Sequence, residues 1–179
     1  MKKLTDIEWH TWVPAEHAVL CYIRNNGHVL LMRKKRGLGA GKINAPGGRI
    51  ERGETPLKAA VRETEEEVCV RPSGMVYAGD LFFQFTDGYS LRGYVFLGTG
   101  YSGIPAETEE ADPFWCPLEE IPYDKMWADD KIWLPEMLNG GFISGRFIFD
   151  GDTMLDSKVE TEILRPERKA LCSGFMKNQ

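Results

Sequence analysis

"GGRIERGETPLKAAVRETEEEVCV", residues 47–70, is the stretch on which the fold turns. Its right half has helical spacing. At about 100° per residue, Leu57, Val61, Thr64 and Val68 fall within one narrow arc, which predicts a core-facing stripe. Thr55 reads as an N-cap and Pro56 as the first helical residue, where a missing N–H costs nothing, so a helix is expected from about Thr55 to about Cys69. Glu63, Glu66 and Glu67 share a second arc, centred roughly 130° from the first, while Glu51 and Glu65 point to solvent. Carboxylates at i, i+3 and i+4 repel by about 0.2–0.5 kcal/mol per pair in water. A bare acidic run is ordinarily a solvated face. A divalent cation would turn the repulsion into attraction, and all-oxygen clusters suit Mg²⁺ or Mn²⁺, with Mg²⁺ completing its shell from water and substrate phosphate. The helix therefore points to a phosphate-directed metal site.

Outward from this helix the chain reads mainly as strands. "HAVLCYIRNNGHVLLMRKKRG" is two apolar runs joined at Asn25, Asn26 and Gly27, a hairpin signal, and "MVYAGDLFFQFT" and "LRGYVFLGT" repeat it around Asp87 and Gly88. The acidic "PAETEEADP" leads to a short apolar "FWC"; "IPYDKMWADDKIWLPEML" reads as short helical pieces, and "GFISGRFIFDGDTMLD" as a last hairpin. Strands before and after one central helix, with a second helix late, favour α+β over a βαβ repeat. The 179 residues are expected to form a single domain with a core at about 14–158 and extensions at 1–13 and 159–179. The first dozen residues and the last fifteen, "RPERKALCSGFMKNQ", are expected to be the least ordered.

Composition narrows the partners. A net charge of -5 and a pI near 5.3 give no basic surplus for a nucleic-acid polymer, but leave room for a small anionic ligand held through metal. Cys21, Cys69, Cys116 and Cys172 are scattered, and His10, His17 and His28 lack zinc spacing, which suggests reduced thiols in a cytoplasmic protein. Asp6, Glu8 and His10 interrupt any leader-like apolar segment, and no run is long enough for a membrane span. The glycine-rich "RGLGAGKIN" lacks the Ser or Thr and the spacing of a P-loop, and it does not sit on a strand-to-helix turn of Rossmann type.

The opening stretch resembles the Nudix box: glycine, five residues, Glu, seven residues, Arg-Glu, an apolar residue, any residue, Glu-Glu, any residue, glycine and an apolar residue. Gly48, Glu54, Arg62, Glu63, Glu66, Glu67 and Val70 stand in register. Six specified residue types, each met by chance about once in fifteen, coincide on the order of once in ten million, so accident is excluded. Thr64 replaces an aliphatic residue and brings a hydroxyl that needs a partner, expected in a carbonyl one turn back. Cys69 replaces the terminal glycine, where a left-handed conformation would cost a side chain roughly 1–2 kcal/mol.

The resemblance implies an α/β/α sandwich with a central mixed β-sheet and Mg²⁺-dependent hydrolysis of a nucleoside diphosphate linked to another group. It further implies that Glu63, Glu66 and Glu67 bind metal, that Gly47 offers its carbonyl, and that Gly48, Glu54 and Arg62 hold loop and helix together. Any of the glutamates could serve as base.

From Ala18 to Asp156, "MRKKRGLGAGKINAPGGRIERGET", "ADPFWCPLEEIPYDKMWADDKIWLP" and "GRFIFDGDTMLD" resemble the animal-type 8-oxo-dGTP diphosphatases. That likeness implies a monomer releasing pyrophosphate from oxidised purine nucleotides, with Glu110 as a further metal and catalytic carboxylate. It assigns base reading to Asn44, Trp127, Asp129 and Asp130. Crowded, buried carboxylates make chemical sense there, since one can be held protonated to donate while its neighbour accepts. Trp127 offers a stacking face, Phe83 and Phe85 another wall, and Lys34 a charge for the triphosphate. Alone, "ADD" would more often be a helix cap, the aromatics core, "RKKRG" a solvated strand end and "ETEEAD" an exposed loop. Leu38 and Ile43 stand where those relatives have aromatic residues and Ala128 where they have proline, which would loosen or shift base selectivity. Two alternatives remain: a Nudix hydrolase of another nucleotide, or a non-catalytic nucleotide sensor, which would have little reason to keep every box glutamate.

Overall fold

The first hairpin turns on two residues that both take positive φ, Asn26 at 46° and Gly27 at 77°, the geometry that matches the twist of the flanking strands. In the computed structural model, which describes residues 2–163, they join β1 (Glu16–Asn25) to β2 (His28–Lys34). Side chains of β1 alternate between two cores: Val19, Cys21 and Ile23 pack beneath a helix on one face, and Tyr22 packs among Trp133, Leu134 and Met137 on the other. A strand apolar on both faces needs cover on both, which is the sandwich.

The covering helices are α1 (Pro56–Val68) and α2 (Asp130–Leu138). The remaining strands are β3 (Ile43–Asn44), β4 (Gly47–Arg49), β5 (Val70–Ser73), β6 (Val76–Phe85), β7 (Ser90–Gly98), β8 (Gly100–Gly103), β9 (Ala111–Pro117), β10 (Gly141–Asp150) and β11 (Thr153–Ile163). The main sheet runs β11-β10-β6-β7-β1-β2-β3, with β4 added to β1 and β9 to β2; β5 and β8 form a separate ribbon. It is mixed, because β1 runs parallel to β7 and β6 parallel to β10 while the other pairs are antiparallel.

The core stripe of α1 follows the periodicity reading at Thr64 and Val68, which are fully buried, and at Leu57, which packs against the core at its edge, but it is centred nearer the alanines than expected. Leu57 and Val61 are only half-buried; the covered residues are Ala59, Ala60, Thr64, Glu67 and Val68. Ala59 and Ala60 are fully buried against the sheet, and Glu67, on the adjoining side of the helix, is buried with them. Residues 2–12 also depart from the expected disorder. Leu4 N–H donates to Asp156 of β11, Trp9 packs on Trp12 and under the Arg146 guanidinium, and Trp12 meets the edge of Phe82 on β6. Three anchors on three strands offset the entropy of ordering a short tail. The expectation for residues 165–179 lies outside the described residues.

Candidate active site

Of the double glycine, Gly47 is required by close approach to backbone, while a side chain at Gly48 would displace the Glu63 carboxylate. A Cβ on Gly47 would stand 2.1 Å from the carbonyl oxygen of Val19, and one on Gly48 would stand 2.4 Å from the Glu63 carboxyl carbon. At position 47 glycine alone lets β4 press against β1. The loop then reaches Glu67, 1% exposed, whose carboxylate accepts Gly47 N–H at 2.9 Å and Lys34 Nζ at 3.1 Å.

Arg62 organises the rest of the helix face. Its guanidinium donates to both oxygens of Glu54 at 2.9 and 2.8 Å, to Glu63 at 2.8 Å, to Glu66 at 3.1 Å and to the Arg49 carbonyl at 3.1 Å. Hydrogen bonds from Arg62 hold the Glu54 carboxyl below its ordinary range. Glu63 and Glu67 move the other way, raised chiefly because burial strips water from their charged forms, with Arg62 and Lys34 opposing. Among the described residues no three acidic, His or Cys side chains stand together as a ready cage. Glu63 and Glu66 are turned to Arg62, and Glu67 to Lys34. The donors nevertheless fit a hard cation: all are oxygens, two are desolvated, and the countercharges present are those an ion would relieve.

Glu110 approaches from the loop before β9 and pairs with Arg36, while Lys35 pairs with Glu107. Thr108 Oγ1 donates to the Glu67 carbonyl at 2.8 Å, so this acidic loop is tied to the end of α1. The basic run after β2 thus stays at the surface, as a solvated strand end would, and pairs there with the acidic loop.

Beside this face lies a cavity of about 370 Å³. Lys34, Gly47 and Gly48 line it toward the glutamate helix; Asn44, Trp127, Asp129 and Asp130 line it elsewhere, with Phe83 and Phe85 in the wall. Glu54, Arg62, Glu63, Glu66, Glu67 and Glu110 do not line it, and Lys34 links the two groups through Glu67. Asp129 and Asp130 are 2% and 3% exposed. Asp129 stands at the N-cap of α2, yet its side chain caps nothing: Oδ2 accepts the Trp133 indole N–H at 2.9 Å, and Oδ1 is buried without a partner. Asp130 Oδ2 accepts Trp127 N–H at 3.0 Å, which fixes the turn that carries the tryptophan. Burial raises both carboxyls, and the neighbouring Asp129 charge raises Asp130 further.

Three contributors escape the sequence reading. Phe149 of β10 meets Trp127 edge-on at 5.6 Å and lies 5.7 Å from Phe85, because the parallel register of β6 and β10 sets Phe85 beside it. Lys42 holds its ammonium 4.9 Å over the Trp127 ring while pairing with Asp152. Tyr89 packs against Phe85 and donates to Glu16 at 2.6 Å. Only the alternation of "GRFIFD" hinted at the first; the other two depend on loop placement. Of the departures, Leu38 is 52% exposed at the cavity rim, Ile43 is buried in the core and Ala128 half-buried beside it.

A mixed sheet between two helices, with the glutamate helix against a double-glycine strand, defines a Nudix domain, and the chain belongs to that family: the NUDIX domain model matches residues 14–137. Among known proteins it is similar to the oxidized purine nucleoside triphosphate hydrolase of Danio rerio, 40% identical over 136 residues, 75% of this chain and 87% of the relative. The protein of that name in Mus musculus is 38% identical over 129 residues, 71% and 83% of the two chains. A solved mutator MutT protein from Bacillus halodurans shares the fold, with a TM-score of 0.72 at 24% identity over 81% of this chain and 97% of that one. Among the described residues no helix is long and apolar enough to cross a membrane.

Proposed function

We propose that this chain hydrolyses oxidised purine nucleoside triphosphates, of the 8-oxo-dGTP and 2-hydroxy-dATP type, to the monophosphate and pyrophosphate, clearing damaged precursors from the nucleotide pool. One observation carries the reading: two adjacent buried carboxyls, one with an unsatisfied oxygen, in the same cavity as Lys34 and the double glycine. Burial and mutual repulsion favour one shared proton on the pair, so the two groups offer a donor and an acceptor to the edge of a base. Oxidation at C8 turns N7 from an acceptor into an N–H donor, and an orphaned carboxylate oxygen is the partner such a donor needs. Trp127 and the phenylalanines give the ring its apolar contact, and Asn44 adds an amide. The relatives in fish and mouse carry names of this activity.

At the phosphate end, Lys34 supplies fixed positive charge, and Arg62 holds Glu63 and Glu66 on one face of α1. Glu63, Glu66, Glu67, Glu110 and the Gly47 carbonyl would hold Mg²⁺, or Mn²⁺, which when bound neutralises phosphate oxygens and lowers the pKa of a water. A box carboxylate would serve as the proton acceptor at the phosphate end. The reading is of a cytoplasmic monomer acting on free nucleotides.

The test is a panel of oxidised and ordinary nucleoside triphosphates and nucleotide sugars, with and without Mg²⁺. The expected result is kcat/KM at least about tenfold higher for the oxidised purines than for their parents, as loss of one buried hydrogen-bond partner would give. Turnover of nucleotide sugars but not triphosphates would overturn the substrate, and binding without turnover would leave a sensor.

A further inference from the structure

Residues 2–13 lie outside the part of the chain that the family model matches, yet they are docked, and their last anchor reaches the cavity wall from behind. Trp12 donates its indole N–H to Gln84 Oε1 at 2.9 Å. Gln84 is 6% exposed and sits between Phe83 and Phe85 on β6, so by strand alternation its side chain lies on the face opposite theirs. Its amide nitrogen donates to the carbonyls of Phe85 at 3.1 Å and Tyr89 at 3.0 Å. Those are the two ends of the turn between β6 and β7, and both side chains line the cavity.

An amide placed this way has two orientations, and only one serves the turn. With the NH₂ toward the carbonyls, both protons are used and the oxygen needs a donor; reversed, the oxygen would face two carbonyl oxygens. The Trp12 indole has a donor and no acceptor, so it accepts only the first orientation. The residues that follow the segment secure the start of β7: Ala15 N–H donates to Ser90 Oγ at 2.9 Å, and Tyr89 closes onto Glu16, the first residue of β1. Trp12 itself is held from outside by Trp9 and Phe82.

We propose that Trp12 is a positioning residue for the nucleotide pocket, fixing the Gln84 amide so that it clamps the turn carrying Phe85 and Tyr89. The N-terminal segment is then a strap that sets the pocket wall, and the part of the inference that concerns substrate rests on the function proposed above. Trp12→Phe keeps the ring against Trp9 and Phe82 but removes the donor; Gln84→Met breaks the same clamp from its other side. In the free protein, both should speed amide exchange at Phe85 and Gly88 about tenfold relative to wild type while leaving the β1–β2 turn unchanged. In turnover of oxidised purine nucleotides, KM should rise about fivefold with kcat within about twofold, the effect of one ordinary hydrogen bond. Unchanged exchange in both variants overturns the clamp, whatever the wild-type substrate proves to be. Faster exchange with unchanged KM overturns its control of the pocket. A wild-type protein inert toward oxidised purines would sink the proposed function alone, because the exchange result still decides the clamp.

Discussion

Cys69 ends α1 in the left-handed region, at φ 61° and ψ 26°, with its N–H on the Glu65 carbonyl at 3.0 Å. The left-handed exit that glycine would favour is kept, closed by a single bond back to the last turn, and the side chain has room because it is exposed. Cys69→Gly should therefore raise stability by about 1 kcal/mol and the melting temperature by about 2–4 °C, with activity unchanged; a lower melting temperature in a thermal scan would refute the strain. Thr64, the other departure, donates to the Ala60 carbonyl at 2.7 Å, one turn back as its chemistry required. Asp129 and Asp130 carry a pH signature. Their folded-state pKa values lie above the ordinary 3.8, so the folded chain binds more protons than the unfolded one as pH rises past that value. Stability from this pair is fully present below about pH 4 and is lost as pH climbs through the raised values. In urea unfolding between pH 4 and 8, the double variant Asp129→Asn with Asp130→Asn should show a shallower fall than wild type, since the amide oxygen introduced at position 129 still accepts the Trp133 indole N–H. Parallel curves would mean the pair is not the source.

On the scale of the element, α1 combines two demands that usually conflict. Ala59, Ala60 and Val68 bury it, while Glu63, Glu66 and Glu67 charge it, and Arg62 with Lys34 reconciles the two. Glu67 shows the cost of this arrangement most clearly, being buried, raised by desolvation and dependent on Lys34. Glu67→Gln retains an oxygen for Gly47 N–H and should leave the circular dichroism spectrum intact while lowering kcat on the order of a hundredfold or more. Near-full activity in that variant would remove Glu67 from the metal and proton chemistry. The sequence places Glu67 correctly on the carboxylate arc, but not under the double glycine. Periodicity gives a side chain's direction from the helix axis and says nothing of which loop will close over it.

Across the whole molecule, local signals are legible in the sequence and non-local ones are not. The hairpin at Asn26 and Gly27, the cap at Thr55 and the box glutamates depend on neighbours in sequence, so their physics is present in the string. Asn44, Trp127, Asp129 and Asp130 are legible through resemblance, and the fold gathers them around one cavity. Phe149, Lys42 and Tyr89 escape because each enters through a register or a loop position that no local pattern encodes. The docking of residues 2–12 escapes for the same reason: Trp9 and Trp12 read as part of a poorly ordered extension until Arg146, Phe82 and Gln84 are brought beneath them. By itself the sequence determined the main hairpins, the two helices, the glutamate face and the family, because turn chemistry, capping and motif spacing act over a few residues. Only the tertiary structure decided which carboxylates are buried, which cations hold them and what walls the cavity, because desolvation and pairing depend on contacts between segments far apart in the chain.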